Sequence, residues 1–152
     1  MRILVLEDDP LYEKSLRQQL EEGIPNVEIQ VLHTESEFYN WTDDPASRPP
    51  DVFVLDVMVR WTDSAEEMPA PPLVVRQARF FEAGLRCEER LRNRPRMAAI
   101  PVVLFTVLDR SDLENRMRAI QSARKLRYVR KDEDIAAAVA SVVSATTPPG
   151  RT

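Results

Sequence analysis

The chain has 152 residues, 43% of them hydrophobic and 30% charged, with a net charge of −4. That is the size and balance of one soluble globular domain. The acidic balance argues against a general nucleic-acid coat, though it leaves room for a local basic patch. A single cysteine, Cys87, and a single histidine, His33, rule out an internal disulfide and a Cys/His zinc constellation. No apolar run approaches the ~18 residues of a membrane span, and no cationic and apolar leader precedes the first strand pattern, so the expected compartment is the cytoplasm.

Ile3 to Leu6 is apolar on both faces, as in a buried parallel strand, and runs straight into Glu7-Asp8-Asp9. Asp9-Pro10 reads as an N-cap with proline at the first helical position; Leu16 and Leu20 form the apolar stripe and Gly23 is expected to stop the helix. Val27, Ile29 and Val31 alternate with Glu28 and Gln30, the pattern of a strand exposed on one side. Thr34-Glu35-Ser36-Glu37 has capping-box spacing and opens a short helix carrying Phe38 and Trp41. A polar loop from Asp43 to Pro50 leads to the third strand, Val52 to Met58, which contains Asp56.

Arg60 to Pro72 is acidic and proline-containing and is expected to be a loop. Leu73, Phe80, Gly84, Cys87 and Leu91 then recur at helical spacing, predicting one long helix to about Asn93, ended by Pro95. Ile100 to Phe105 is a second buried strand, ending at Thr106. Ser111-x-x-Glu114 has the spacing of another capping box, with Leu113, Met117 and Ile120 facing inward. Tyr128 and Val129 form a last strand before Lys131, and Ile135, Val139, Val142 and Val143 mark a final amphipathic helix. Strands alternating with helices predict one α/β domain over residues 1–146, a doubly wound parallel (βα)5 sheet. Residues 57–83 contain an insertion and an extended third helix, and 147–152 are a frayed tail.

The ends of parallel strands converge on one sheet edge, where open α/β sheets place ligands. Two like charges at ~4 Å cost about 4 kcal/mol at an effective dielectric near 20, and a divalent cation relieves the conflict. Glu7, Asp8, Asp56, Thr106 and Lys131 therefore read as a Mg²⁺ and phosphoryl site. Asp56, on a rigid strand end, is the candidate nucleophile; the bland alternative is an Asp that terminates a strand. Asp8 is the candidate direct ligand, with Glu7 acting through water and the Met58 carbonyl completing a hard oxygen set. Thr106 offers a hydroxyl and Lys131 a mobile point charge, against the alternative that both are ordinary strand-end residues.

Leu4-Val5-Leu6-Glu7-Asp8-Asp9-Pro10, Pro50-Asp51-Val52-Phe53-Val54-Leu55-Asp56, Ala83-Gly84-Leu85-Arg86 with Leu91-Arg92, Ile100-Pro101-Val102-Val103-Leu104-Phe105-Thr106 and Tyr128-Val129-Arg130-Lys131 resemble, in this order, the receiver domain of two-component response regulators. The resemblance implies a flavodoxin-like sheet of strand order 2-1-3-4-5. It implies that Asp56 accepts a phosphoryl group from a sensor histidine kinase or phosphotransfer protein, and that Glu7, Asp8, Asp56 and the Met58 carbonyl hold Mg²⁺. Thr106 and Lys131 would read the phosphoryl group, with Tyr128 as an aromatic switch that follows Thr106. Such a domain signals rather than turns over substrate. Its output would be a downstream protein target or a homodimer, with no direct DNA binding and no membrane. Arg116, Arg118, Arg124, Lys125, Arg127 and Arg130 make the face that would serve this purpose basic, although a charge run is more often a solvated face.

Three features depart from that pattern. Asp56 and Gly84 stand 28 positions apart, a longer separation than such domains use. Val107 replaces a small residue, and Asp132 replaces a proline after Lys131, which removes an expected cis peptide. They leave open a pseudo-receiver, an interaction module that works without phosphate. A dehalogenase-type phosphatase would need a second acid where Met58 stands, and a dinucleotide enzyme a glycine-rich turn where the chain has Asp8-Asp9-Pro10. The inserted segment is expected to be a recognition element, with Trp61, Phe80 and Phe81 docking on a surface; the alternative is a passive insertion.

Overall fold

The computed structural model describes residues 1–63, 70–77, 82–121 and 126–145. Its strands are β1 (Arg2–Leu6), β2 (Glu28–Leu32), β3 (Val52–Leu55), β4 (Val102–Thr106) and β5 (Leu126–Arg130). All neighbouring strands are parallel, in the order β2-β1-β3-β4-β5. Six helices are present among the described residues: α1 (Pro10–Gly23), α2 (Glu35–Asp43), α3 (Leu73–Gln77), α4 (Ala83–Arg92), α5 (Arg110–Gln121) and α6 (Ile135–Ser144).

Alternation along the strands divides the core into two layers. Ile3, Val5, Val52, Val54, Val103, Phe105 and Val129 pack with Leu16 and Leu20 of α1 and Ile135, Val139 and Val142 of α6. Leu4, Leu6, Phe53, Leu55, Val102 and Leu104 pack on the other face with Phe38 of α2, Leu85 and Leu91 of α4, and Leu113 and Met117 of α5. Strands buried on both faces need apolar residues at every position, which is why β1, β3 and β4 read as unbroken hydrophobic runs.

The caps explain the element edges. Asp9 accepts hydrogen bonds from the amides of Leu11 and Tyr12 at 2.8 and 3.3 Å. Thr34 accepts from the Glu37 amide at 3.1 Å, and the Glu37 carboxylate takes the His33 amide at 2.7 Å. Gly23 closes α1 for a packing reason: a Cβ there would lie 2.5 Å from Ala136 Cβ, so its absence lets α6 approach.

Three expectations are corrected. The single helix from Leu73 to Asn93 is two helices where described: Glu82 has φ −132° and ψ 10°, outside helical geometry, and α4 begins at Ala83. Residues 78–81, with Phe80 and Phe81, lie outside the described residues, as do 64–69 and the tail 146–152. The third strand ends at Leu55 rather than Met58. Helix α5 starts at Arg110, so Ser111 sits inside its first turn instead of capping it, and the Asp112 amide bonds the Asp109 carbonyl at 3.0 Å.

Candidate functional site

Parallel register sets Glu7 just beyond Leu6, Asp56 just beyond its partner Leu55, and Thr106 two residues beyond Leu104, all on one sheet edge. Backbone hydrogen bonds fix these ends: Glu7 N to Leu32 O at 3.0 Å, Asp56 N to Leu6 O at 2.9 Å and Lys131 N to Thr106 O at 3.1 Å. Gly84 brings α4 against the same place. A Cβ at Gly84 would lie 2.3 Å from the Asp56 carbonyl oxygen and 2.9 Å from Val57 Cα, so only glycine admits this approach. Its amide bonds Val57 O at 3.2 Å.

Carboxylate oxygens of Glu7, Asp8 and Asp56 lie within 4.8 Å of one another. Lys131 Nζ sits 2.6 Å from Glu7 Oε2 and 2.9 Å from Asp56 Oδ2, with both acids nearly inaccessible to water. The other Glu7 oxygen accepts from the Asp9 amide at 3.0 Å, Asp56 Oδ1 from the Met58 amide at 3.2 Å, and Asp8 Oδ2 from the Arg60 amide at 3.2 Å. Burial, opposed by Lys131 and reinforced by the Asp56 charge, pushes the Glu7 carboxyl up to about 7. Burial also raises Asp56 above the usual carboxylate range, against the pull of Lys131, the Met58 amide and Thr106. Burial works to lower Lys131, but the Asp56 and Glu7 charges outweigh it and hold the ammonium above its ordinary value.

Three clustered carboxylates, two of them sharing one ammonium, form an underneutralised set, and hard oxygen donors this close suit a divalent cation. The donor chemistry therefore fits Mg²⁺ or a similar ion.

Thr106 is fully buried, and its Oγ1 accepts the Leu108 amide at 3.3 Å. Tyr128 lies half-buried against the α5 side of the sheet and donates its hydroxyl to the Leu108 carbonyl at 2.5 Å. Leu108 thus links the two residues. Val107 is exposed; with Tyr12, Arg130, Lys131 and Asp132 it lines a cavity of about 160 Å³ beside the site, so it borders the mouth without filling it. A larger cavity of about 440 Å³, lined by Tyr39, Arg86, Glu89, Arg90, Asn93 and Arg94, follows the α2–α4 flank and includes none of Glu7, Asp8 and Asp56.

The start of the inserted segment also docks. The carbonyls of Arg60 and Trp61 accept the first amides of α2, Glu35 N at 3.0 Å and Ser36 N at 2.8 Å, and the Trp61 ring meets Tyr39 edge-on at 5.4 Å. Tyr12, whose ring carries the Lys131 ammonium 4.1 Å from its centroid, has no sequence signal beyond its place one turn into the helix capped by Asp9.

Solved structures similar to this chain include response regulator receiver domains. One is the signal receiver domain of a DNA binding response regulator protein (merR) from Colwellia psychrerythraea 34H: 20% identity, 95% of this chain and 97% of that one covered, TM-score 0.66. The Mn(2+)-bound form of response regulator Rcp1 matches at 16% identity, covering 94% and 89%, with TM-score 0.62. The phosphorylated cyanobacterial phytochrome response regulator RcpA matches at 14% identity, covering 98% of both chains, with TM-score 0.62. No protein-family model and no curated protein matches the sequence. The chain has the flavodoxin-like fold of response regulator receiver domains, over nearly its whole length.

Proposed function

We propose that this chain is a response regulator receiver that accepts a phosphoryl group on Asp56. The carrying observation is the Lys131 ammonium lodged between Glu7 and Asp56 at 2.6 and 2.9 Å, with Asp8 completing the acidic cluster. The donor is a phosphohistidine of a sensor kinase or phosphotransfer protein. An Asp56 oxygen forms the new bond to phosphorus while the donor's P–N bond breaks, its electron pair returning to the imidazole.

Glu7, Asp8, Asp56 and the Met58 carbonyl would hold Mg²⁺, which when bound neutralises charge on the carboxylates and the phosphoryl oxygens. The fold and donor set support this reading, as does a Mn(2+)-bound neighbour of similar fold. Lys131 would then turn from the carboxylates to a phosphoryl oxygen, as its flexible stem allows. Thr106 would turn its hydroxyl to another and release the Leu108 amide. Because Leu108 also anchors the Tyr128 hydroxyl, that release would reach the α5–β5 surface, where a protein partner or second copy would read it. Among the described residues no helix is long and apolar enough to cross a membrane.

Mass spectrometry after incubation with acetyl phosphate and Mg²⁺ tests the reading. One phosphoryl adduct, lost with hydroxylamine treatment, is expected. An unmodified chain at every donor concentration favours the phosphate-independent module instead.

A further inference from the structure

Tyr12 stands at the solvent side of the strand-end site. The amide hydrogen bond to Asp9 fixes its backbone at the start of α1, and the residue is 37% exposed. The Lys131 ammonium rests 4.1 Å from the ring centroid, so the ring face closes one side of a cation that Glu7 and Asp56 hold on the other. The same ring lines the 160 Å³ cavity beside Lys131, together with Val107, Arg130 and Asp132. A tyrosine one-third exposed has no packing need to face an ammonium, and a cation over an aromatic face is attracted by the ring quadrupole.

We propose that Tyr12 is a positioning residue for phosphoryl chemistry at Asp56: its ring holds Lys131 over the site and screens the mouth, and so sets the lifetime of the acyl phosphate. The inference rests on the phosphoacceptor reading above. Hydrolysis joins a water oxygen to phosphorus and breaks the bond between phosphorus and the Asp56 oxygen. The electron pair returns to the Asp56 carboxylate, and the water's proton leaves with inorganic phosphate. Tyr12 touches none of these atoms; it acts through Lys131 and through the path open to water.

Two variants test it. Tyr12→Phe keeps the ring face, and Tyr12→Leu removes it while remaining a good helix former. In the unphosphorylated, metal-free protein, NMR should show the Lys131 ε-methylene protons shifted upfield by the ring in the parent and in Tyr12→Phe, and unshifted in Tyr12→Leu. In protein labelled with acetyl phosphate and then freed of donor, Tyr12→Leu should hydrolyse about two- to five-fold faster than the parent, the factor an exposed cation–π contact supports. Tyr12→Phe should restore the parent rate. Equal Lys131 shifts in the parent and Tyr12→Leu overturn the contact. Equal lifetimes in labelled parent and Tyr12→Leu overturn the role of Tyr12 while leaving Asp56 as acceptor, whereas a parent that never labels overturns the acceptor reading and this proposal with it.

Discussion

Among the described residues, the buried charge at the strand ends and that between α2 and α4 are built to opposite rules. Between α2 and α4, Arg86 meets Glu35 fork to fork, Nε to Oε1 at 2.8 Å and Nη2 to Oε2 at 2.7 Å, with both side chains almost wholly buried. Its hydrogen bonds to Glu35 hold the guanidinium even more firmly charged than usual, despite burial. At the strand ends, Glu7 and Asp56 share the ammonium of Lys131 with Asp8 beside them, and burial drives Glu7 and Asp56 upward. Burial alone does not separate structural from functional charge. A balanced bidentate pair is complete as it stands, while an excess of one sign calls for another ion or a reacting group.

The largest effect should come from Asp56→Asn, which removes the acceptor oxygen's nucleophilicity while keeping the side chain's shape. Phosphoryl labelling by acetyl phosphate should fall to nothing by intact-mass measurement. Persistent labelling would move the acceptor elsewhere and erase the contrast between the two clusters.

Next comes the balanced pair. Arg86→Ala leaves Glu35 buried and unmatched, and breaking a buried pair from one side costs about 3–5 kcal/mol. Urea unfolding should show a loss of that order. Labelling per folded molecule should stay unchanged, because neither residue belongs to the acidic cluster. A loss of labelling at conditions where Arg86→Ala is fully folded would show that the clusters are coupled.

The unbalanced cluster should behave in the reverse way. Glu7 keeps its proton to about pH 7 in the fold, against an ordinary value of 4.5. Between those values the folded chain binds the extra proton, so stability falls as pH rises through this window. The contribution is fully present below 4.5 and lost above 7, with a ceiling of about 3 kcal/mol for a shift of this size. In chelator, Glu7→Gln should flatten that part of the stability profile and raise stability at pH 8. A profile unchanged by Glu7→Gln would mean that Lys131 satisfies both acids in full.

Asp8 tests the same imbalance through metal. Binding to a few carboxylates with retained waters is expected in the millimolar range for Mg²⁺. Asp8→Ala should weaken it about tenfold in a fluorescence or NMR titration, the order of one lost carboxylate contact. Parent-like affinity would remove Asp8 from the donor set.

The strand-end cluster was legible because each of its residues follows an apolar run that can only be a buried strand, so chain order alone predicts their convergence. Asp9 and Thr34 were legible as caps for a similar local reason. The Arg86–Glu35 pair was not, since its members stand 51 positions apart on helices whose packing no local pattern reveals. Gly84 was read as one more helical position, yet its reason lies in the Asp56 backbone, which a Cβ would strike. Gly23 does end α1, as its place in the sequence predicts, but nothing local shows that its missing Cβ makes room for Ala136. Helical spacing across Leu73 and Leu91 concealed the break at Glu82: Leu91 is buried in the core, but Leu73 is 68% exposed, so its match to the repeat reflects no shared packing.

The smallest effect should come from the inserted segment. Arg60 and Trp61 dock the start of the segment: their carbonyls receive the first amides of α2, the Arg60 amide reaches Asp8, and Trp61 packs on Tyr39. Replacing residues 62–71 with a short Gly/Ser linker keeps all of these. Loop closure changes by only about 0.6 kcal/mol per halving of length. Stability in urea should therefore move by less than about 1 kcal/mol, and labelling by acetyl phosphate by less than twofold. The recognition role expected for this segment then has a clean readout. Transfer from a cognate kinase or self-association should drop in the linker variant while small-donor labelling holds, because the small donor needs only the strand-end residues and a protein partner needs a surface. If both protein-dependent measurements match the parent, the insertion is passive and the two clusters are independent of it.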